Sequence, residues 1–460
     1  MRVIPPAARS VPSEMQILPS RIPSPELKLP HLKLPFKLGG RTSQNLVGLD
    51  IQPGFVAAVQ ARVNGSILAE RAATLPLPAD SVRDGEVLDE SALSETLREL
   101  FNDSGLSKRV RVGVANQRTV LRTLELPPVT DPKELAAAVN FQAQDQVPMP
   151  LNNAVMDFHP LGIVDTPAGP RQRVVLVAAQ RDMIERLIKA VRQAGLSVEG
   201  VDLSAFALIR SLYRPDPEQT GRVLYLNVDG LTNLAIAEGT VCRFTRVVGS
   251  GLEGMASELA ERRSIALTEA RSLLAGVDLT ASTPAPSQES APEAPATEAP
   301  APEAHFSEAA SPEGESFEEQ APGAPAPEVE PQSHEQAEQS EREMSYEELA
   351  ALESAPAAPA AAQSDADLLG VLENGIRDIS GEVRNSLYFH RSQEGGGEVS
   401  HVVMSGCAQD IPGFAAALQS SLGVEVRCQE VGVLDKSLGN TVSLHRLAVA
   451  TGLAAAEAVQ

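Results

Sequence analysis

The sequence predicts an α/β protein with two similar halves, and two patterns lead to that prediction. Short apolar runs of strand type alternate with helical patterns from Leu46 to about Leu279, and the alternation resumes near Asp365. A strand, a tight turn and a second strand open each half, at residues 46–60 and 224–239. The residues within these two stretches are numerous enough to bury two hydrophobic cores.

Composition separates two further segments from these halves. Residues 281–365 hold nineteen acidic residues and one basic residue, so this Pro/Ala/Glu/Ser tract carries −18 of the chain's net charge of −23. It has too few large apolar residues to offset the entropy of ordering, and we expect a disordered insertion. Residues 1–45 are rich in proline and have a net charge of +5, which predicts an extended or disordered basic tail.

The individual elements follow from local signals. Asp131 as N-cap, Pro132 at the first position and Glu134 in the first turn predict a helix that ends before Pro148. Apolar residues at helical spacing predict helices over 182–194 and, longest of all, 366–390. After the first hairpin, with strands at 46–51 and 55–60, apolar runs predict strands centred on 111–115, 118–126, 173–179, 222–228, 241–248 and 401–406.

Three turns follow these strands where a ligand could be held. The first is Gln52-Pro53-Gly54, the second contains Gly230, and the third contains Gly406 before a helix. Two hairpins of phosphate-binding type plus a glycine-containing turn are the layout of an actin-like (ribonuclease H-like) fold, in which two α/β domains close on a nucleotide. The candidate ATP-binding residues are therefore Asp50, Gly54, Asn227, Asp229, Gly230, Thr232, Ser250, Gly251, Ser405 and Gly406.

The chain also resembles a known family through a series of short motifs. They run in order from LVGLDI (46–51) through LRTLELPPV (121–129), ELAAAVNFQAQDQVPMP (134–150), MDFHPLG (156–162), VVLVAAQRDMI (174–184), QAGLSVEGVDLSAFAL (193–208), FTRVVGSG (244–251), LTEARSLL (267–274), EVRNSLYFH (382–390), MSGCA (404–408) and AVATGLA (448–454). Their order and spacing resemble the PilM family of type IV pilus assembly proteins, which has the actin-like fold.

The resemblance implies a cytoplasmic scaffold that lies at the inner face of the cytoplasmic membrane. Such a scaffold docks the cytosolic N-terminal tail of an inner-membrane PilN-like protein and joins other pilus assembly proteins. The resemblance further implies a first domain at 46–205, with an extra α/β subdomain inserted at about 85–160 that helps to form the docking groove. The second domain would comprise 206–280 and 366–460, interrupted by the insertion.

The phosphate-binding turns depart from the family pattern in ways that weaken the case for ATP and Mg²⁺. Where the family usually has glycine, small hydroxyl residues and a lysine, this chain has Gln52, Pro53 and Ala57, so a backbone donor and a positive charge are lost. Asn227 stands where a second acid is usual, and Cys407 where a second glycine is usual. We therefore predict degenerate nucleotide loops and no catalytic residue.

Several of the candidate site residues are open to both a functional and a structural interpretation. Asp50 either positions Mg²⁺ through water, as the one candidate metal residue, or caps its turn. Asp229 lies two residues, about 6–7 Å, beyond the expected position and is interpreted as a turn residue. Gly230 and Thr232 could line a phosphate pocket, whereas Gly54 and Gly406 could serve turn geometry alone.

Three alternatives for the whole chain stay open at this stage. One is a working ATPase whose nucleotide state switches partner affinity. Another is a cell-division protein of the FtsA type, although the terminal LAAAEAVQ lacks that group's basic amphipathic helix, and a third is the cytosolic domain of a GspL-type secretion protein. The body has no basic stripe with interleaved aromatics, so we expect no nucleic-acid partner, while self-association is left open.

Overall fold

The structure, a computed structural model of the 460-residue chain, describes residues 46–215, 221–282, 360–393 and 395–455. The chain divides into one unit made of residues 1–281 and 367–460 and another made of residues 282–366. The second unit, which contains the predicted disordered insertion, falls almost entirely outside the described residues, as does the predicted basic tail. The predicted boundaries of the two domains within the first unit stay a prediction.

The described strands and helices follow one another in mixed order. The strands are β1 (Val47–Gln52), β2 (Phe55–Val63), β3 (Ile67–Pro76), β4 (Val82–Arg83), β5 (Glu86–Val87), β6 (Arg109–Val114), β7 (Val120–Leu126), β8 (Ala154–Thr166), β9 (Gly169–Gln180), β10 (Ser197–Leu203), β11 (Arg222–Val228), β12 (Thr232–Glu238), β13 (Val241–Val248), β14 (Val399–Ser405), β15 (Val426–Cys428) and β16 (Gly432–Val433). The helices are α1 (Glu90–Ser104), α2 (Pro132–Gln146), α3 (Arg181–Gln193), α4 (Ser204–Leu212), α5 (Leu252–Arg263), α6 (Leu267–Ala275), α7 (Ala360–Ser392), α8 (Phe414–Leu422) and α9 (Ala448–Ala454).

Most of the predicted elements are confirmed. The strands predicted at 222–228 and 241–248 are β11 and β13 with the same bounds, and both predicted hairpins form. The Asp131 carboxylate accepts a hydrogen bond from the Lys133 amide at 2.7 Å, as an N-cap should, and α2 ends before Pro148. The long helix predicted at 366–390 is α7, which runs from 360 to 392.

Two mixed sheets organise the first unit. Six strands in the order β10-β6-β1-β2-β3-β16 form one sheet, and we call this sheet with α1 and α3 the first lobe. Five strands in the order β13-β12-β11-β14-β15 form the other, and we call this sheet with α5, α6, α7 and α8 the second lobe. Successive side chains of a strand point to opposite faces of the sheet, and both faces are buried. In β2, for example, Val56 packs toward α1 and α3, while its neighbours Phe55 and Ala57 pack toward the opposite side.

A third, three-stranded sheet in the order β7-β9-β8 lies within residues 120–180, and we call it with α2 the subdomain. It overlaps only in part with the inserted subdomain predicted at about 85–160, whose bounds stay a prediction. Helix α2 covers one face of it through Leu135, Val139 and Ala143. The other face presents Val175 and Val177 toward the first residues of α4. Strand β9 continues directly into α3, so the subdomain is joined to the first lobe without a long linker.

The layer between the two large sheets consists of α4 and α9. Helix α9 lies so close to its neighbours that side chains are excluded at two contacts. A Cβ atom on Gly48 of β1 would lie 1.9 Å from the Ala450 carbonyl oxygen, and one on Gly452 would lie 1.9 Å from the Ala207 carbonyl oxygen. Gly48 is therefore required for α9 to approach β1 this closely, and Gly452 for α9 to approach α4.

Replacing Gly452 by alanine tests this packing. We expect the Gly452→Ala chain to lose about 2–3 kcal/mol of unfolding free energy, because the new methyl group would overlap backbone rather than a movable side chain. The measurement is urea unfolding followed by far-UV circular dichroism.

The matched control is Gly381→Ala in α7, where no atom lies within 4 Å of the added Cβ position. Both substitutions improve helix propensity by up to about 1 kcal/mol, so only the packing differs between them. Equal stabilities of the two variants would show that α9 can shift without cost.

Candidate functional site

The three predicted turns meet where the two lobes face each other. A Cβ atom on Gly230, in the second hairpin, would lie 2.2 Å from the carbonyl oxygen of Pro53 at the tip of the first hairpin. A Cβ atom on Gly251 would lie 2.3 Å from the Gly230 carbonyl oxygen. The hairpin tips and the start of α5 are thus in direct backbone contact, and glycine at 230 and 251 permits it.

Behind the tips, each hairpin buries a carboxyl–amide pair. The Asp50 and Asp229 side chains are each 1% exposed. The Gln52 side-chain amide donates to Asp50 Oδ1 at 3.1 Å, and the Asn227 amide donates to Asp229 Oδ2 at 2.7 Å. The order of acid and amide is therefore inverted between the hairpins, and one oxygen of each acid accepts a hydrogen bond from an amide two positions away.

These two acids influence each other's protonation. Burial, and then the charge of Asp229, raise the pKa of Asp50 to about 8, against a smaller opposing effect of the Gln52 hydrogen bond. Burial also raises the pKa of Asp229, but the Cys407 backbone N–H at 2.7 Å and the Asn227 amide favour its ionised form. Asp50 therefore carries the proton near neutral pH.

The third turn supports this pair from the second lobe. Gly406 has a φ of +97°, which side chains rarely allow, and its N–H donates to the His445 carbonyl oxygen at 3.1 Å. The Ser405 hydroxyl donates to the same oxygen at 3.2 Å. The His445 ring lies between Asp410 and Glu430 at 2.8 and 3.0 Å, and the Asp410 hydrogen bond is the main reason that the pKa of His445 is raised.

The remaining predicted residues lie at the same junction. The Thr232 hydroxyl donates to the Ser250 carbonyl oxygen at 2.5 Å, which joins the second hairpin to the start of α5. Gly54, with a φ of +96°, accepts a hydrogen bond at its carbonyl oxygen from the Leu77 amide at 2.9 Å. The structure thus brings all ten sequence-predicted residues to one place, where each is in contact with other protein groups.

Two contacts at this junction were not predicted from the sequence. Arg271 donates from Nε to Glu253 Oε2 at 2.9 Å beside Gly54, and the Arg446 guanidinium lies 5.4 Å from the centre of the Phe55 ring. Arg271 and Arg446 are distant in sequence from the turns, and Glu253 and Phe55 lie outside the quoted motifs. The only available signal was charge at the start of a helix, which is too common to locate a site.

Two features of the junction bear on whether it could hold a magnesium–triphosphate group. Pro53 has no N–H and packs on Gly230, where backbone donors would have to face phosphate oxygens. Asp50 Oδ1 accepts from Gln52, whereas Asp50 Oδ2 and Gln52 Oε1 are buried without a hydrogen-bond partner among the described residues. Among the described residues, no group of three or more His, Cys, Asp or Glu side chains is arranged to hold a metal ion.

A second surface feature is an apolar groove beside the subdomain sheet. Its walls come from three places, namely the subdomain strands β8 and β9, the first-lobe strands β6 and β10, and helix α3. The lining residues are Val114, Val155, Val177, Ala179, Ile184, Val201, Asp202 and Leu203. The one charged member, Asp202, is held by Arg210 at 2.9 Å. The volume is about 30 Å³ and every lining residue except the half-buried Val155 is buried, so the groove is a narrow apolar crevice.

Comparison with known proteins supports the resemblance drawn from the motifs. The family described as type IV pilus assembly protein PilM matches residues 48–247. A solved structure described as a PilM-PilN type IV pilus biogenesis complex is similar at a TM-score of 0.61 and 19% identity, covering 89% of this chain and 97% of that chain. The predicted resemblance to PilM is confirmed by this match and by the match of the family to residues 48–247.

Two more distant structures also match over most of their length. EutJ, an ethanolamine utilization protein from Carboxydothermus hydrogenoformans, matches at a TM-score of 0.42 and 12% identity, over 89% of this chain and 88% of that chain. ADP-bound MreB5 of Spiroplasma citri matches at a TM-score of 0.39 and 11% identity, over 89% of this chain and 95% of that chain. The predicted actin-like fold is confirmed by the similarity to the PilM-PilN structure at a TM-score of 0.61. None of the helices described here is both long and apolar enough to cross a bilayer.

The buried proton on Asp50 gives a pH dependence of known sign. Its folded pKa, about 8, exceeds the ordinary value of 3.8, so the folded state holds a proton that the unfolded state releases between these values. The unfolding free energy of the wild type, relative to Asp50→Asn, should therefore fall by about 1.4 kcal/mol per pH unit from about pH 5 to pH 8 and then level off. Urea unfolding at several pH values measures this slope.

The control for the pH series is Asp103→Asn, which removes an exposed carboxyl group at the end of α1. Its profile should run parallel to that of the wild type. A profile of Asp50→Asn that also ran parallel to the wild type would contradict the assignment of the proton to Asp50.

Proposed function

We propose that this chain is an actin-like scaffold of type IV pilus assembly that docks the cytosolic N-terminal tail of a PilN-like inner-membrane protein. It works at the cytoplasmic face of the inner membrane, where it joins other assembly proteins. The observation that carries the proposal is the match of residues 48–247 to the PilM family, together with the similarity to a PilM-PilN complex. We place the tail at the apolar groove beside the subdomain sheet. In this proposal the partner is anchored in the membrane, and its short cytosolic tail binds the scaffold.

The groove suits an extended peptide. Strand β8 lies at the edge of the three-stranded sheet, so one side of its backbone is available for pairing with an added strand. Val155 of β8 is half-buried at the groove and faces the apolar side chains Val177 and Ile184. Backbone pairing supplies affinity in this mode, while apolar side chains of the peptide select the register.

The junction of the hairpins supports a scaffold rather than an ATPase. In a nucleotide switch, the two hairpins grip a triphosphate between them, and lobe closure depends on the ligand. Here Pro53 touches Gly230 directly, and one oxygen of each acid behind them accepts a hydrogen bond from Gln52 or Asn227. We therefore propose that nucleotide binding is weak or absent and that docking does not require turnover.

Binding of the tail can be tested with a charge placed in the groove. Val155→Asp should weaken the affinity for a synthetic peptide of the first ~15 residues of the PilN-like partner at least tenfold, because a carboxylate would be desolvated against apolar walls. Fluorescence anisotropy with a labelled peptide measures this affinity.

Ile163→Asp is the control, because it makes the same kind of change on the same strand at a side chain that is 63% exposed and does not line the groove. It should bind the peptide like the wild type. Equal affinity of the Val155→Asp and Ile163→Asp chains would remove the groove as the docking site.

Nucleotide titration tests the second part of the proposal. Isothermal titration of the full chain with MgATP should show no binding tighter than about 1 mM, since the hairpins lack the usual donors and lysine. Micromolar affinity would instead favour the nucleotide-switch alternative. The same protein sample should still bind the PilN-derived peptide, which shows that it is folded and active.

A further inference from the structure

The tip of the first hairpin is held by a ring of contacts that joins the two lobes. The Gly54 carbonyl oxygen accepts from the Leu77 amide, and the Leu77 carbonyl oxygen accepts from Arg271 Nη1 at 3.3 Å. Arg271, on α6, pairs through both Nε and Nη2 with the two oxygens of Glu253 on α5. Glu253 Oε2 in turn lies 2.8 Å from the position of a Cβ atom on Gly54, which closes the ring.

This ring connects elements that are otherwise separate. Gly54 and Leu77 belong to the first lobe, whereas Glu253 and Arg271 belong to the second. The two charged side chains are about one-fifth exposed, at 20% and 21%, so the pair is shielded from water more than a surface ion pair is. A two-point arginine–carboxylate pair also fixes orientation, which a single lysine contact would not do.

We propose that the Glu253–Arg271 pair is an inter-lobe clamp that replaces a bound ligand in holding the two hairpins together. This proposal rests on the proposed function, in which the junction works without nucleotide. The carboxylate of Glu253 occupies the surroundings of Gly54, and Arg271 neutralises it while binding the first-lobe backbone at Leu77. The chain's own side chains thereby hold the two lobes together, and the groove beside the subdomain sheet keeps one constant arrangement.

Other contacts across the junction limit how far the hairpin tip loosens when the clamp is removed. Pro53 packs on Gly230, and Arg446 lies over the Phe55 ring, so removal of the clamp alone should loosen the tip without unfolding either lobe. The Leu77 amide reports this loosening, because its hydrogen bond to Gly54 forms part of the ring. Opening exposes that amide to exchange with solvent.

The test is amide hydrogen–deuterium exchange of the full chain, read by mass spectrometry at peptides covering residues 52–57 and 75–78. Glu253→Gln keeps the shape of the side chain but removes its charge, and exchange at these peptides should become about tenfold faster. Glu258→Gln is the matched control, since Glu258 lies on the same helix and pairs with Arg262 within that helix, without reaching the other lobe.

Unchanged exchange in Glu253→Gln relative to Glu258→Gln would overturn the clamp. Adding MgATP to the wild type separates this failure from failure of the proposed function. No change in exchange on adding MgATP is expected, whereas protection of residues 52–57 by MgATP would show that a ligand, and not the clamp, closes the lobes. Binding of the PilN-derived peptide, measured on the same samples, tests docking independently of both results.

Discussion

The close approach of α9 to the first lobe is the constraint on which the rest of the architecture depends. This short helix fills the layer between the two large sheets, and backbone meets backbone at Gly48 and Gly452. Two arginines secure its end, because Arg210 donates to the Gly452 carbonyl oxygen at 2.6 Å and Arg111 donates to that of Ala455 at 3.3 Å. With α9 in this position, β1 and α4 are fixed, and the hairpin that carries Asp50 is aimed at the second lobe.

The junction of the hairpins shows how a ligand-binding arrangement can become an internal contact. The acids remain at the ends of their strands, but each is now hydrogen-bonded by an amide on its own strand. A neutral Asp50 can stay buried without a cation because the proton removes the cost of desolvating a charge. In the proposed scaffold, this buried interface would keep the two hairpins in one arrangement.

Local signals were sufficient to predict most of the strands and helices, and tertiary contacts account for what was missed. The Asp131 N-cap and the alternation in β11 are properties of a few neighbouring residues, so the sequence revealed them. Helix α9 has seven residues, all buried, and no polar face to give it a helical period. Strand β16 has only two residues and is defined by pairing with β3, far away in the chain.

The candidate site was likewise predicted only in part from the sequence. Asp50, Gly230 and Gly406 could be located because each follows a strand in a turn pattern, and the structure brings them together. The contact between Pro53 and Gly230 could not be predicted, because it depends on how the two lobes approach. The sequence thus indicated which residues meet but not how closely the two hairpin tips approach.

The placement of α9 also bears on how the chain is assembled during synthesis. Arg111 contacts the Leu453 carbonyl oxygen across 342 residues, and β16 adds the last strand to a sheet whose first strand begins at Val47. The inner face of that sheet therefore stays uncovered on the ribosome until nearly all of the chain has emerged. Contacts of such long range slow folding and leave apolar surface exposed in the meantime, so the nascent first lobe should be a substrate for chaperones.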